Sequence, residues 1–235
     1  MNIIDYAVIG IVLLSLLFGL YKGFIRSVLA LLALFLSMWT AYSYAPKVTN
    51  WISGNDTLLN TVMYYSDASL RIPDLRDAET PVSTLSADRI VSIVAQADLP
   101  EPFSILLESN MMNQTYAVLP NATVSDYLNQ TIVSVIINII SFVGIFLIAY
   151  LVFSLTISLA HYVFRFPSLR KFDALLGGIF GVGSGVFFVY ILFALVPIFM
   201  TVLPFPQLSQ AVEESQFGRM LINSTVIQTI LQGHL

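Results

Sequence analysis

Four long stretches of the chain contain no Asp, Glu, Lys or Arg, and apolar residues dominate each of them. A helix needs about 20 predominantly apolar residues to cross roughly 30 Å of hydrocarbon. The chain lacks the alternation of apolar and polar positions that is typical of barrel strands, so helices are the predicted elements. The sequence therefore predicts an all-α, polytopic membrane protein with about four transmembrane helices, at Ile4–Leu20, Phe24–Tyr44, Leu128–Ala160 and Ala174–Leu203.

The first two predicted spans are separated by a short basic turn, Tyr21–Arg26, and form a transmembrane helical hairpin over residues 1–45. The N-terminus lacks the basic region and the small-residue cleavage site of a secretory signal, so we expect the hairpin to be retained. Membrane topology explains Lys22 and Arg26 in the turn, and capping of the first span explains Asp5.

The connection over residues 46–126 is too long for a simple turn and carries signals for short helices. Ser86 is a candidate cap for a helix that ends near Gln96. A second helix is predicted from Pro102 to about Met112, because prolines interrupt the chain just before it. We therefore expect a small helical extracytoplasmic cap.

The third span begins at a predicted capping box, Thr123–Asp126, and continues as a helix to about Phe164. About 40 residues make a helix of about 60 Å, twice the hydrocarbon thickness, so this helix should project outward or tilt. Residues 127–206 hold the third and fourth spans. The tail, residues 207–235, has an imperfect amphipathic stripe and is predicted either to pack on the cap or to lie on the outer leaflet.

The composition agrees with a membrane protein, since 57% of the 235 residues are hydrophobic and only 10% are charged. The lipid bilayer is thus the predicted environment. Ten Lys and Arg against fourteen Asp and Glu leave no basic excess to meet phosphates, which excludes a nucleic-acid partner. A chain without Cys has no disulfide framework and no cysteine nucleophile.

The few charged residues predict the orientation. Five of the ten basic residues lie in two short connections, residues 21–26 and 162–173. Residues 46–126 hold four basic and ten acidic residues, a net charge of −6. By the positive-inside rule the two short connections are cytoplasmic, whereas the long connection and both termini lie outside.

Gly177, Gly181 and Gly185 recur every four residues at the start of the fourth span, so they share one face of the helix. Bare faces of this kind let membrane helices approach closely. Packing within the monomer, self-association through this face and a glycine-lined pore all fit the pattern. Asp173 begins the same helix, where a carboxylate suits the helix dipole and can pair with the two basic residues before it.

Ser134, Asn138 and Ser141 form a polar stripe along the third span. Such residues usually bond to a neighbouring helix, and a water-lined path is the alternative. Apart from Asp5 and Arg26 near the span ends, the spans hold no Asp, Glu, Lys or Arg to carry a driving proton, which disfavours a proton-coupled transporter. With two His, no Cys and no nucleophile or nucleotide motif, we expect no catalytic residue, no metal and no cofactor.

Three segments resemble the colicin V production protein family (CvpA), namely Asn2–Tyr6, Gly19–Arg26 and Asp173–Gly177 with the two later glycines. The resemblance covers about residues 1–45 and 165–200, whereas the long connection and the tail depart from the short family members. The motif and packing candidates are Asp5, Gly19, Lys22, Gly23, Phe24, Arg26, Asp173, Gly177, Gly181 and Gly185.

The resemblance implies a bacterial cytoplasmic-membrane protein that supports production or export of a colicin V-like bacteriocin, with links to envelope homeostasis. It implies no molecular mechanism. The distinctive residues concern packing and topology, so the first hypothesis is a non-enzymatic membrane protein that acts through envelope or export proteins or through self-association. The alternative is an oligomeric passive channel whose pore is lined by span three or span four.

Overall fold

Four helices in the described part of the chain are long and apolar enough to cross a bilayer. The computed structural model describes residues 2–66, 72, 74–97, 99, 102–116, 121–164, 172–202 and 206–233. Over those ranges the chain forms helices and no strand, which confirms the all-α class. In chain order the helices are α1 (Ile3–Lys22), α2 (Phe24–Ser53), α3 (Asp56–Ser66), α4 (Leu75–Glu79), α5 (Ala87–Gln96), α6 (Phe103–Met112), α7 (Val124–Phe164), α8 (Asp173–Val202), α9 (Pro206–Glu214), α10 (Gln216–Ile222) and α11 (Thr225–Gln232).

Helices α5 and α6 confirm the two helices predicted between the second and third spans. Helix α3 was not predicted, although its capping signal is present in the sequence. The carboxamide oxygen of Asn55 accepts the N–H groups of Thr57 and Leu58, each at 3.2 Å. A side chain at this position satisfies donors that have no partner within the helix.

Helix α2 ends at Ser53 rather than near Tyr44, because it continues through Pro46. A proline removes one internal hydrogen bond and usually ends or kinks a helix. Here the extension packs against α7, and Ala45 beside the proline is buried. Tertiary packing therefore overrides the local signal.

The capping box predicted before the third span is confirmed. The N–H and hydroxyl groups of Thr123 both donate to the Asp126 carboxylate at 2.9 Å, and the Asp126 N–H donates back to the Thr123 hydroxyl at 3.3 Å. Helix α7 then runs for 41 residues. At 1.5 Å per residue it is about 60 Å long, twice the thickness of the hydrocarbon layer.

The four long helices lie in the spatial order α1, α8, α2, α7. Helices α1 and α2 are joined at a single residue, Gly23, as the hairpin prediction requires. The two arms nevertheless contact each other little, because α8 packs between them. The hairpin therefore depends on α8 for most of its tertiary contacts.

The contacts of α8 set the relative heights of the helices. Val12 of α1 lies opposite Gly185, and Leu31 of α2 lies beside Gly183. Counting along the helices from these contacts puts the first residue of α1 level with about residue 42 of α2. Everything that α2 contacts further along its length lies beyond the start of α1.

Helix α7 consists of two halves with different surroundings. Up to Phe146 its apolar side chains are mostly buried by protein. Beyond that point it exposes a row of apolar side chains, namely Leu147, Ile148, Leu151, Val152, Leu155 and Leu159. The second half thus has the surface of a membrane helix, and the first half that of a helix inside a protein core.

The tail packs on the protein. Helix α10 contacts the start of α1, and α11 lies against α7 and α8. The apolar stripe of α11 is buried, with Ile227, Ile230 and Leu231 each less than a tenth exposed. The tail therefore packs chiefly on the long helices rather than on the cap, and the alternative of the outer leaflet stays a prediction.

Candidate functional site

Helices α1 and α8 cross with their backbones in direct contact. Gly177 and Gly181 of α8 face Gly19 of α1, and a Cβ on Gly181 would lie 2.9 Å from the Gly19 Cα. A Cβ on Gly19 or on Gly177 would strike the carbonyl group of the other residue. Backbone contact of this kind supplies the van der Waals packing that holds helices together in lipid.

Gly185 extends the glycine face by another turn, since a Cβ there would lie 2.8 Å from the Ser15 Cβ. The three glycines of α8 are therefore covered by α1 of the same chain, which is the intramolecular alternative of the sequence analysis. Self-association through this face would require α1 to move away. It stays a prediction.

Asp173, the first residue of α8, caps α2 across the bundle. Its Oδ1 accepts the Phe24 N–H at 2.9 Å. Gly23 has a left-handed φ of 81°, and a Cβ there would lie 2.9 Å from the Asp173 carboxyl carbon, so glycine is required twice. The predicted ion-pair partners of Asp173, Arg170 and Lys171, lie outside the described residues.

The other motif residues at this end have simpler surroundings. Phe24 packs edge-on against Phe180, with ring centroids 5.4 Å apart. The Lys22 ammonium lies 5.9 Å from the centroid of the Phe18 ring. Lys22 and Arg26 are both exposed, as a role in topology requires.

At the opposite end, the fully buried Asp5 joins two distant parts of the chain. One carboxylate oxygen accepts the Asn2 N–H at 2.9 Å within a capping box, which confirms the predicted cap. The other oxygen accepts the Ser215 hydroxyl at 2.7 Å and the Phe217 N–H at 3.1 Å. Asp5 therefore fastens α10 to the first turn of α1. We name Asp5, Ser215 and Phe217 the tail clasp.

The tail clasp was missed by sequence reasoning because its two sides are 210 residues apart. Ser215 has its own local signal, since its hydroxyl also accepts the Gly218 N–H at 2.8 Å and caps α10. A second contact supports the clasp, because the Asn2 carboxamide donates to the Ala211 carbonyl. Local capping rules explain each end but not their meeting.

The polar stripe of α7 is largely used inside the protein. The Asn138 carboxamide donates to the Leu231 carbonyl at 3.0 Å and accepts the Thr49 hydroxyl at 3.2 Å, so it ties α7 to α11 and α2. Bonding to neighbouring helices is therefore confirmed for Asn138. Ser141 is buried, and its hydroxyl has no partner among the residues that the structure describes.

Asn138 also lies beyond the level at which α1 begins. Thr49, its partner on α2, is seven residues beyond the level at which α1 begins. At 1.5 Å per residue, Asn138 lies about 10 Å beyond the start of α1. The placement of the stripe within a membrane span stays a prediction, since the candidate span of α7, Val124–Leu159, includes all three residues.

A partly open cavity of about 540 Å³ adjoins the stripe, between α2, α6, α7 and α11. Its lining mixes polar and apolar side chains but carries no Asp, Glu, Lys, Arg or His side chain among the described residues. The lining includes nine hydroxyl side chains and five carboxamides, which are Asn50, Asn110, Asn113, Asn138 and Gln232. Neutral groups that both donate and accept hydrogen bonds therefore surround this space.

Below the cavity, aromatic rings close the route along α7. Phe142 lines the cavity and Phe146 follows one turn later, and both are almost fully buried. The Phe146 ring stacks on Tyr150, with centroids 6.1 Å apart. The polar surface thus ends before the half of α7 that exposes apolar side chains.

A family model described as colicin V production protein matches residues 4–72 and 90–226. The chain belongs to the colicin V production protein family. Comparisons with curated proteins and with solved structures found no match. The family match includes much of the long connection and of the tail, so the expectation that the resemblance stops near residues 45 and 200 is wrong. Both regions pack on the long helices and are part of one fold.

Replacing Gly181 with alanine should destabilise the protein by about 2 to 3 kcal/mol, because the new methyl group overlaps the backbone of α1. The free energy of unfolding, measured by denaturant titration in lipid bicelles, checks this. Gly10→Ala is the matched control, since nothing lies within 4 Å of a Cβ at that position. Equal stability of the two variants would show that α1 and α8 do not meet through their backbones.

Asp5→Ala should release the tail, because Ser215 and Phe217 lose their acceptor. Arg219 is the only Lys or Arg after residue 171, so trypsin cleavage there reports on α10 alone within the tail. We expect cleavage to accelerate about ten-fold or more, the ratio given by one lost hydrogen bond to a charged group. Glu214→Ala removes a nearby exposed carboxylate and should leave the rate unchanged. Unaltered cleavage in Asp5→Ala would contradict the tail clasp.

Proposed function

We propose that this protein is a non-enzymatic component of the bacterial cytoplasmic membrane that supports bacteriocin production or export by presenting a helical outer domain to protein partners. Membership of the colicin V production protein family supports the process. The observation that carries the mode of action is the first half of α7, which is buried by α2, the cap helices and the tail. A helix half whose apolar side chains are mostly buried by protein belongs to the core of a folded domain.

The proposed orientation follows from the length of α1 and the position of the charges. Its 20 residues make a helix of about 30 Å, which matches the hydrocarbon thickness. Lys22 and Arg26 then lie at the cytoplasmic face. The first half of α7, the cap and the tail lie on the outer side, together with both termini.

The channel alternative finds less support in the packing. A pore between subunits needs a polar or bare face that is free to line it, yet α1 covers the glycine face of α8. The Asn138 side chain is bonded to α2 and α11, and Phe142 and Phe146 follow directly below it. A pore along either helix would require these contacts to separate.

The orientation is tested with single cysteines, because the chain has none of its own. Asn60→Cys, on the exposed side of α3, should react with a membrane-impermeant maleimide in intact spheroplasts. Tyr21→Cys, at the basic turn, is 91% exposed and should react only after the membrane is permeabilised. The reverse pattern would invert the proposed topology.

The proposed mode of action is tested in a strain that lacks the protein and carries a colicin V-type operon. The wild type and Ser141→Ala should restore toxin activity in the culture medium equally. The Ser141 hydroxyl is buried, so it would matter to a channel that conducts along α7 but not to a protein that binds partners at its surface. Gly181→Leu, which forces α1 away from α8, should reduce it to the level of the deletion strain.

Photo-crosslinking residues at two exposed apolar positions should then recover discrete protein adducts. Leu75 in the cap is 76% exposed and Met220 in the tail is 70% exposed. The lipid-facing Leu159 is the control position and should give no protein adduct. An absence of adducts at the first two positions, together with ion conductance of the purified protein in planar bilayers, would replace this proposal with the channel.

A further inference from the structure

The cavity beside Asn138 has the chemistry of a site for an uncharged, hydroxyl-rich ligand. With no charged side chain in its described lining, it offers no counter-charge for a phosphate, a carboxylate or an ammonium group. Carboxamides and hydroxyls instead supply donors and acceptors in every direction. The volume of about 540 Å³ lies within the range of small-ligand sites.

The polar side chains of the lining do not satisfy all of one another's hydrogen-bonding groups at short distance. The Asn110 carboxamide donates to the Thr131 hydroxyl at 2.9 Å, but it lies 3.4 Å from the Tyr116 hydroxyl. That hydroxyl is in turn 3.5 Å from the Ser134 hydroxyl. Contacts of this length are at the limit of a hydrogen bond, so a ligand hydroxyl can replace them at little cost.

Aromatic rings complete the lining. Tyr42, Tyr116 and Phe142 reach the cavity from α2, the segment after α6, and α7. The Tyr116 ring is held edge-on against Tyr127, with centroids 5.2 Å apart. Rings fixed in this way can cover the apolar C–H faces of a pyranose while the neutral polar groups bond its hydroxyls.

The known modes of peptide recognition fit this cavity poorly. The described residues offer no strand edge for β-augmentation, and the lining lacks the continuous apolar groove that an amphipathic helix needs. Among the described residues, the lining also lacks the Arg cluster of phosphopeptide and acidic-motif sites. A peptide is therefore the weaker match.

We propose that this cavity binds a neutral saccharide of one or two hexose rings. Tyr42 lines the cavity and is level with the start of α1, so one end of the cavity lies near the level where α2 emerges from the bilayer in the proposed orientation. Such a sugar can arrive free in solution or as the headgroup of a glycolipid. The proposal goes beyond bacteriocin production, and binding in a nanodisc, which is open on both faces, does not depend on the orientation.

The test uses the full chain in nanodiscs of phosphatidylethanolamine and phosphatidylglycerol, prepared without glucoside or maltoside detergents because these carry sugar headgroups. Maltose binding is followed by saturation-transfer NMR. We expect transfer to the sugar protons in the wild type. Affinity should be about five-fold weaker in Asn110→Leu, the ratio typical of one lost hydrogen bond. Binding should be lost in Ser134→Trp, whose ring fills the cavity.

Asn60→Ala, an exposed carboxamide outside the cavity, is the matched control and should bind as the wild type does. Unchanged thermal midpoints in Asn110→Leu show that weaker binding is not unfolding. Displacement of maltose by nanodiscs that contain monoglucosyl diacylglycerol would identify a lipid headgroup, and no displacement a free sugar.

Three results would overturn the proposal. The first is no saturation transfer to maltose and no binding of the glycolipid. The second is binding that Ser134→Trp leaves intact, which would place the sugar elsewhere. The third is binding of a neutral tetrapeptide in the cavity without binding of either sugar.

Discussion

Where α1 and α8 cross, Gly19 and Gly177 leave two backbones in direct contact, and the positions of the other long helices follow from that crossing. Lipid tails compete well with large apolar side chains but cannot reproduce a close fit between two backbones. The crossing sets the first residue of α8 beside Gly23, so the Asp173 carboxylate reaches the start of α2. The crossing of α1 and α8 therefore determines which helix packs on α1 and where the first turn of α2 is capped.

The unequal lengths of α1 and α7 account for the proposed outer domain. α1 has 20 residues and α7 has 41, so in the proposed orientation α7 carries about 30 Å of apolar helix beyond the hydrocarbon. Exposed to water, that surface would be an aggregation liability, and it must be covered by protein. The extension of α2, the cap and the tail supply the cover. The tail clasp at Asp5 contributes by holding the tail to the first turn of α1.

Most of the helices could be predicted from local sequence signals. The remaining features depend on residues far away in the sequence and could not be predicted. The Thr123 box and the prolines before α6 act within a few residues, and each was confirmed. The spacing of the glycines identified the glycine face of α8. It could not show whether α1 of the same chain or a second copy of the protein covers that face. The continuation of α2 through Pro46 was not predicted, because it depends on packing against α7 rather than on a local signal. The clasp between Asp5 and Ser215 joins two ordinary caps, and neither cap specifies the other.

The polar side chains of the proposed outer domain fall into two groups that differ in their hydrogen bonds. The Asn138 carboxamide forms hydrogen bonds with α2 and α11, and these bonds explain why a polar side chain is buried there. Asn110 donates to the Thr131 hydroxyl at 2.9 Å, but its contact with Tyr116 and the contact of Tyr116 with Ser134 are 3.4 and 3.5 Å long. A buried polar group without a partner costs about 1 to 3 kcal/mol, so a water or ligand that improves on these long contacts stabilises the lining. Hydrogen bonding between helices accounts for Asn138, whereas the long contacts around Tyr116 and Ser134 can yield to a ligand hydroxyl.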